Sequence, residues 1–259
     1  MPVGQPDRGR GTATPLNVRY RTDRIAQYVS GRWLDYGCAE GGYTSELLRR
    51  GATEVVGIDV DANRIERAAS RVIQGATFEC FDGVRVPYDG GSFDGAFVNE
   101  VLEHVTDEQQ SLQDIYRVLK PGAYLVVISP NRWFPFEGHA VNIAVAKHKF
   151  RFGPAPFVPW LPERVTRSWT EARNYWPHEL ISKVRNAGFA ILEKGSIWPV
   201  LEQYPWLPSR LIAVYQNHIN QIDQIPGLRR FGVSTLLVAV RPFSERGVAP
   251  INRRQRPAG

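Results

Sequence analysis

The stretch Arg32-Trp33-Leu34-Asp35-Tyr36-Gly37-Cys38-Ala39-Glu40-Gly41-Gly42-Tyr43-Thr44-Ser45-Glu46-Leu47-Leu48 decides the fold. Its first six residues read as a strand, Gly37 to Gly42 as a tight turn, and Tyr43 onward as a helix closed by Gly51. Glycines at the carboxyl end of a strand let the backbone approach a ligand closely, and the helix N-terminus that follows favours negative groups. A dinucleotide fingerprint, G-x-G-x-x-G, is not met, because position 39 is alanine and the third glycine is misplaced.

The same alternation continues on either side. Glu54–Val60 is a continuous apolar strand, and Asp61–Ile73 is a helix with an acidic first turn. Ala76–Asp82 and Phe93–Glu100 give a third and a fourth strand. Asp107–Lys120 is an amphipathic helix stopped at Pro121-Gly122, and Ala123–Pro130 is a fifth strand. The helix His178–Phe189, the strand Ala190–Ile197 and the strand Val233–Val240 complete a seven-stranded set. Strands and helices in alternation, with apolar and β-branched strands, predict a doubly wound, mostly parallel α/β sheet covered on both faces. Upstream, residues 17–30 have helical spacing, with Tyr20, Ile25 and Tyr28 as candidates for one face.

Two segments interrupt the pattern. Residues 131–176 are rich in aromatics and proline without periodicity, which predicts a lid or binding loop. Residues 200–231 contain a helical insertion centred on 207–225, readable as a cover for an acceptor pocket or as a homodimer contact. The expected organisation is a tail at 1–16, one domain at 17–242 and a basic tail at 243–259.

With 43% hydrophobic and 22% charged residues, the chain has the balance of a globular protein rather than a disordered one. No apolar run is long enough to span a bilayer, and the first residues lack the apolar core of a signal peptide, so the expectation is a cytoplasmic protein with no membrane partner. Cys38 and Cys80, the two cysteines, are read as reduced thiols in buried or cofactor-facing segments. The net charge of +6 permits a nucleic-acid partner, but Arg8, Arg10, Arg253, Arg254 and Arg256 place much of it in the end segments, where solvated tails account for it.

The acidic Asp35 followed by glycines at nearly every second position resembles the cofactor motif of class I S-adenosylmethionine-dependent methyltransferases; Ala39 departs from it where glycine is common. The resemblance covers about residues 30–130. It implies S-adenosylmethionine as cofactor, held by Asp35, Gly37, Cys38, Ala39 and Gly41 of the loop. Asp59 would hold the ribose hydroxyls, Asp82 with the Gly83 backbone the adenine, and Asn99 would lie beside the sulfonium methyl.

Glu100-Val101-Leu102-Glu103-His104 carries a sharper expectation. If this segment opens a helix, Glu100, Glu103 and His104 share one face at the mouth of the crevice. That makes a candidate divalent-cation site, and the E-x-x-E-H pattern is similar to that of metal-dependent O-methyltransferases, with His139 as the downstream ligand that the resemblance implies. Mg²⁺ or Mn²⁺ suits such a mixed oxygen and nitrogen set, and Zn²⁺ is not excluded. The cation would lower the pKa of an acceptor hydroxyl, as bound cations do for water, from about 16 towards 7. The alternative leaves Glu103 and His104 as helix-orienting residues with no metal, and His104 or His139 as general base. His148, His178 and His218 are read as structural or surface residues. The expected activity is O-methylation of a small hydroxylated, sugar-like molecule. Methylation of RNA 2′-hydroxyls and metal-free C- or N-methylation are the rivals.

Overall fold

A computed structural model of the chain describes residues 16–137, 141–145, 148–152, 155–166, 168–170, 172–199, 201, 208–225 and 227–243. Both expected tails therefore lie almost wholly outside the described residues. The elements run α1 (Leu16–Asp23), β1 (Gly31–Tyr36), α2 (Gly42–Arg49), β2 (Ala52–Asp59), α3 (Ala62–Ala69), β3 (Ala76–Cys80), β4 (Phe93–Asn99), α4 (Glu108–Val118) and β5 (Leu119–Pro130). Then follow β6 (Phe136–Glu137), β7 (Val141–Val145), β8 (His148–Phe152), β9 (Ala155–Pro156), α5 (Glu163–Thr166), α6 (Pro177–Asn186), β10 (Ala190–Ile197), α7 (Ser209–Gln224) and β11 (Ser234–Val240).

Seven strands form one sheet in the order β10-β11-β5-β4-β1-β2-β3. The pairs β4–β5, β4–β1, β1–β2 and β2–β3 are parallel, and β11 runs antiparallel to both β5 and β10. This is the mostly parallel, doubly wound sheet that the sequence predicts. Each strand's alternation feeds two cores. Leu34, Val56, Val98 and Val127 face Leu112, Ile115, Leu180 and Val184 of α4 and α6. Trp33, Val55, Phe97, Val126 and Ile128 face the other way, against Ile25 before β1 and Leu47 of α2. Burial of each such side chain stabilises by about 1.5–3 kcal/mol, and strands buried on both faces must be apolar throughout, which is why they read as continuous hydrophobic runs.

The chain moves from β1 outward to β2 and β3, then returns to β4 on the other side of β1. That reversal opens a crevice at the carboxyl ends of β1 and β4. α1 packs against α2 on its rim. The helix expected over 17–30 is shorter than predicted: α1 stops at Asp23, and a single 3-10 turn covers Ala26–Tyr28. The Thr22 hydroxyl bonds back to the Val18 and Arg19 carbonyls, the kind of local bond that competes with helix propagation.

Where the sequence shows no periodicity, between 131 and 176, the structure has two small antiparallel ladders, β6 with β9 and β7 with β8. No helix among the described residues is long and apolar enough to cross a membrane.

Candidate active site

The loop after β1 is held down by its own backbone. The Gly37 and Cys38 N–H groups donate to the Ile58 carbonyl, and the Gly41 N–H donates to the Cys38 carbonyl. Gly37 adopts a φ of +79°, and a Cβ there would sit 2.4 Å from Val101 Cγ2, so only glycine lets this turn meet the segment after β4. Gly41 caps α2 in the same left-handed region, with Phe78 Cζ 2.7 Å from where a Cβ would be. Ala39 also adopts a left-handed φ, of +48°. The family's usual glycine thus has a conformational reason, and this chain has an alanine there despite it.

Three acidic residues stand at successive strand ends. Asp35 is 2% exposed and accepts the Thr44 hydroxyl at 2.6 Å. Burial pushes its carboxyl up to about 7; the Thr44 bond opposes the rise and the charge of Asp59 adds to it. Asp59 takes the Ala39 N–H on one oxygen at 2.9 Å and the Asp61 N–H on the other at 3.0 Å, which fixes the carboxylate's orientation. Each of its oxygens keeps a second lone pair for a ligand. Asp82 is exposed, and one oxygen accepts the Val84 and Arg85 N–H groups, so its carboxyl lies below the usual range. Beside these acids, Val60 and Val84 are 62% and 57% exposed, two apolar side chains bared at the ends of β2 and β3. Gly83 lies against Val60.

Cys38 is buried. Its side chain packs on Gly57, and burial raises its thiol pKa well above the ordinary value. Cys80 is exposed, at the carboxyl end of β3.

After β4 the backbone turns abruptly. Glu100 sits at φ +54°, and the next residues form a single turn closed by the His104 N–H on the Val101 carbonyl at 2.9 Å. α4 begins later, at Glu108, where the Asp107 side chain caps it by accepting the Gln110 N–H. The helix expected to open at Glu100 is therefore absent, and with it the shared face: Glu103 is 2% exposed and His104 is exposed. A clamp holds this turn in place. Tyr175 Oη donates to the Leu102 carbonyl and to Glu108, Arg173 Nη1 donates to the Val105 carbonyl and to Glu108, and Lys183 Nζ donates to the other Glu108 oxygen.

What the turn brings together is a different cluster. Arg21, from α1, donates to Asn99 Oδ1 at 2.6 Å and to Glu100 Oε1 at 2.8 Å, and the Ser234 hydroxyl donates to the same Glu100 oxygen at 2.6 Å. Neither oxygen of the buried Glu103 takes a hydrogen bond from an N–H or hydroxyl donor among the described residues. Burial first, and then the charge of Glu100, push the Glu103 carboxyl well above its ordinary range. Against the burial that opposes it, Arg21 and Ser234 hold Glu100 low. Burial thus favours the protonated form of Glu103, while Arg21 and Ser234 favour the ionised form of Glu100. Arg21 and Ser234 went unremarked in the sequence because their role comes from packing across 79 and 134 positions, which no local spacing encodes.

Glu100, Glu103 and His104 do not gather into the expected cation site among the described residues. Glu100 is ion-paired with Arg21, Glu103 is buried and His104 is exposed, and no group of three metal-ligating side chains converges among the described residues. His139 lies outside the described residues.

With the crevice defined, its relatives are informative. The family described as "Methyltransferase domain" matches residues 34–127, the span from β1 to β5 that carries the loop and the three acids. Residues 34–127 are a methyltransferase domain. Its fold is that of class I S-adenosylmethionine-dependent methyltransferases. A solved S-adenosylmethionine-dependent methyltransferase from Mesorhizobium loti superposes with a TM-score of 0.59 at 17% identity, covering 86% of this chain and 98% of that one. The chain is 31% identical over 120 residues to the O-methyltransferase resE of Aspergillus sclerotiorum, covering 44% of this chain and 46% of that one. It is also 31% identical over 126 residues to the 24-methylenesterol C-methyltransferase 2 of Arabidopsis thaliana, covering 47% and 35%. The chain spans less than half the length of these two relatives.

Proposed function

We propose that the chain transfers the methyl group of S-adenosylmethionine to a hydroxyl oxygen of a small polar acceptor. The observation that carries this reading is the buried, donor-free Glu103 next to the Arg21- and Ser234-bound Glu100 and Asn99, at the carboxyl end of β4 where the crevice opens. Oxygen methylation needs a group that removes the hydroxyl proton as the oxygen attacks the methyl carbon, and a buried carboxyl whose oxygens take no other donor is suited to it once ionised. A sulfonium cation bound next to the pair favours that ionised form. Arg21 and Ser234 then keep Glu100 oriented as the partner.

The cofactor would lie across the strand ends. Its charged amino-acid end would meet the Gly37–Gly41 loop above Asp35, its ribose the free lone pairs of Asp59, and its adenine the apolar surface of Val60 and Val84, with the Asp82 carboxylate and the Gly83 backbone at its edge. The chain's own part is to bind and orient the cofactor, and to hold one proton-accepting carboxylate where water is excluded. The segment 131–176 would cover the acceptor, whose hydroxylated, sugar-like character is part of this proposal.

The test is transfer of labelled methyl from S-adenosylmethionine to a panel of polyhydroxylated compounds, with Glu103→Gln as control. Loss of transfer in that variant, with cofactor affinity kept, supports the reading. Full transfer by Glu103→Gln, or label recovered on carbon, defeats it.

A further inference from the structure

Beyond the crevice, the carboxyl edge of the sheet holds a second concavity of about 250 Å³, lined by Lys194, Arg229, Arg230, His178, Trp133 and Thr235 among others. No aspartate or glutamate among the described residues lines it. None of Lys194, Arg229 and Arg230 has an ion pair among the described residues. Like charges gathered without a counter-charge repel, and here the backbone keeps them gathered. Arg229 and Arg230 stand on the 3-10 turn Leu228–Phe231, whose carbonyls are tied down: Ser196 Oγ donates to the Arg229 carbonyl, and Asn131 Nδ2 donates to the Arg230 carbonyl at 2.7 Å. Asn131 Nδ2 also reaches the Gly232 carbonyl at 2.8 Å. Burial, together with the fields of Arg229 and Arg230, holds the Lys194 ammonium below its usual value. Trp133 forms a wall, with the Arg230 guanidinium 5.5 Å from its ring centre and Trp176 edge-on at 5.1 Å.

We propose that this cleft binds a small oxyanion, a phosphoryl or carboxylate group carried by the methyl acceptor. Three cations on a fixed turn and an edge strand, with an indole beside them, form a concave site for a compact negative group. Its place relative to the methyl-transfer point supports the assignment. Thr235, in the cleft, follows Ser234, which bonds Glu100 from the opposite face of β11 at the same carboxyl edge, and β10 lies three strands from β4. Three inter-strand spacings amount to roughly 14 Å, so an acceptor of that reach would place its hydroxyl at Glu100 and its anionic group here. The assignment of the anion to the acceptor rests on the methyl-transfer reading; the anion site itself does not.

The test separates the two. Inorganic phosphate and acetate are titrated by calorimetry into the full chain, against chloride at matched ionic strength, for wild type, for Arg229→Gln/Arg230→Gln, and for Arg64→Gln/Arg185→Gln, which removes two positive charges elsewhere. S-Adenosylmethionine affinity, measured on each, reports whether the cofactor crevice is intact. The expected result is saturable binding in wild type and in the charge-matched control, at least about tenfold weaker in Arg229→Gln/Arg230→Gln, with cofactor affinity alike in all three. Preference for phosphate over acetate assigns a phosphoryl group, and the reverse a carboxylate. Equal anion affinity in the two double variants, or no saturable binding by wild type, overturns the site. A short single-stranded oligonucleotide that displaces phosphate at much lower concentration overturns the small-acceptor assignment in favour of an extended polyanion. Loss of cofactor binding by wild type would defeat the methyl-transfer reading and leave the anion result standing by itself.

Discussion

Ala39 offers a quantitative test of the loop. Its φ of +48° lies in the left-handed region, where a side chain costs about 1–2 kcal/mol relative to glycine. Replacing alanine by glycine also frees the unfolded chain, which returns about 0.4–1 kcal/mol in the opposite direction. The net expectation for Ala39→Gly is stabilisation by about 0.5–1 kcal/mol, a rise in melting temperature of roughly 1–4 °C for a domain of this size. The Ala39 N–H bond to Asp59 is a backbone bond and survives the change. Gly37→Ala and Gly41→Ala run the same experiment in reverse and add a collision, since the new Cβ would lie 2.4 Å from Val101 Cγ2 or 2.7 Å from Phe78 Cζ. Each should destabilise by more than about 2 kcal/mol. Differential scanning calorimetry and urea unfolding of the three variants decide the matter. A lower midpoint for Ala39→Gly, or an unchanged one for Gly37→Ala, would refute the claim that backbone conformation and close approach set the residues of this loop.

Further outcomes follow from the buried acids. Because the folded Asp35 carboxyl titrates at about 7 and the unfolded one at 3.8, the folded chain holds the extra proton between those values. The contribution of Asp35 to stability therefore falls as pH rises from about 4 to 7 and is level above that. Asp35→Asn, which lacks this titration, should gain urea midpoint relative to wild type across that window; a constant difference would count against it. S-Adenosylmethionine, a cation, should release a proton from Glu103 on binding, whereas uncharged S-adenosylhomocysteine should not; calorimetry in buffers of different ionisation enthalpy measures both, and equal proton counts would sink the idea. Glu103→Gln should lower methyl transfer by roughly 10²–10⁴-fold with cofactor affinity kept, in a single-turnover assay. Exhaustive treatment with EDTA should leave transfer unchanged; restoration by added Mg²⁺ after a chelator-induced loss would reinstate the metal-assisted form expected from the sequence.

The sequence by itself determined the sheet. Leu34, Val56 and Val98 announce strands buried on both faces, glycine and aspartate mark their carboxyl ends, and the handedness of βαβ crossovers leaves few ways to join them. The acids Asp35, Asp59 and Asp82 were legible for the same reason, since each lies at or near the carboxyl end of a strand. The tertiary structure decided the chemistry around Glu100. An E-x-x-E-H spacing converges only on a helix, and here a left-handed Glu100 and the delayed cap at Asp107 make it a turn, burying Glu103 and exposing His104. Arg21 and Ser234 reach Glu100 only because α1 and β11 pack at the same sheet edge. The cleft at Lys194, Arg229 and Arg230 arises the same way, from three cations that local periodicity treats as unrelated surface residues and that the fold sets side by side. Periodicity encodes which face of an element is buried; which polar groups meet across elements is a matter of long-range packing, and that is fixed only when the chain has folded.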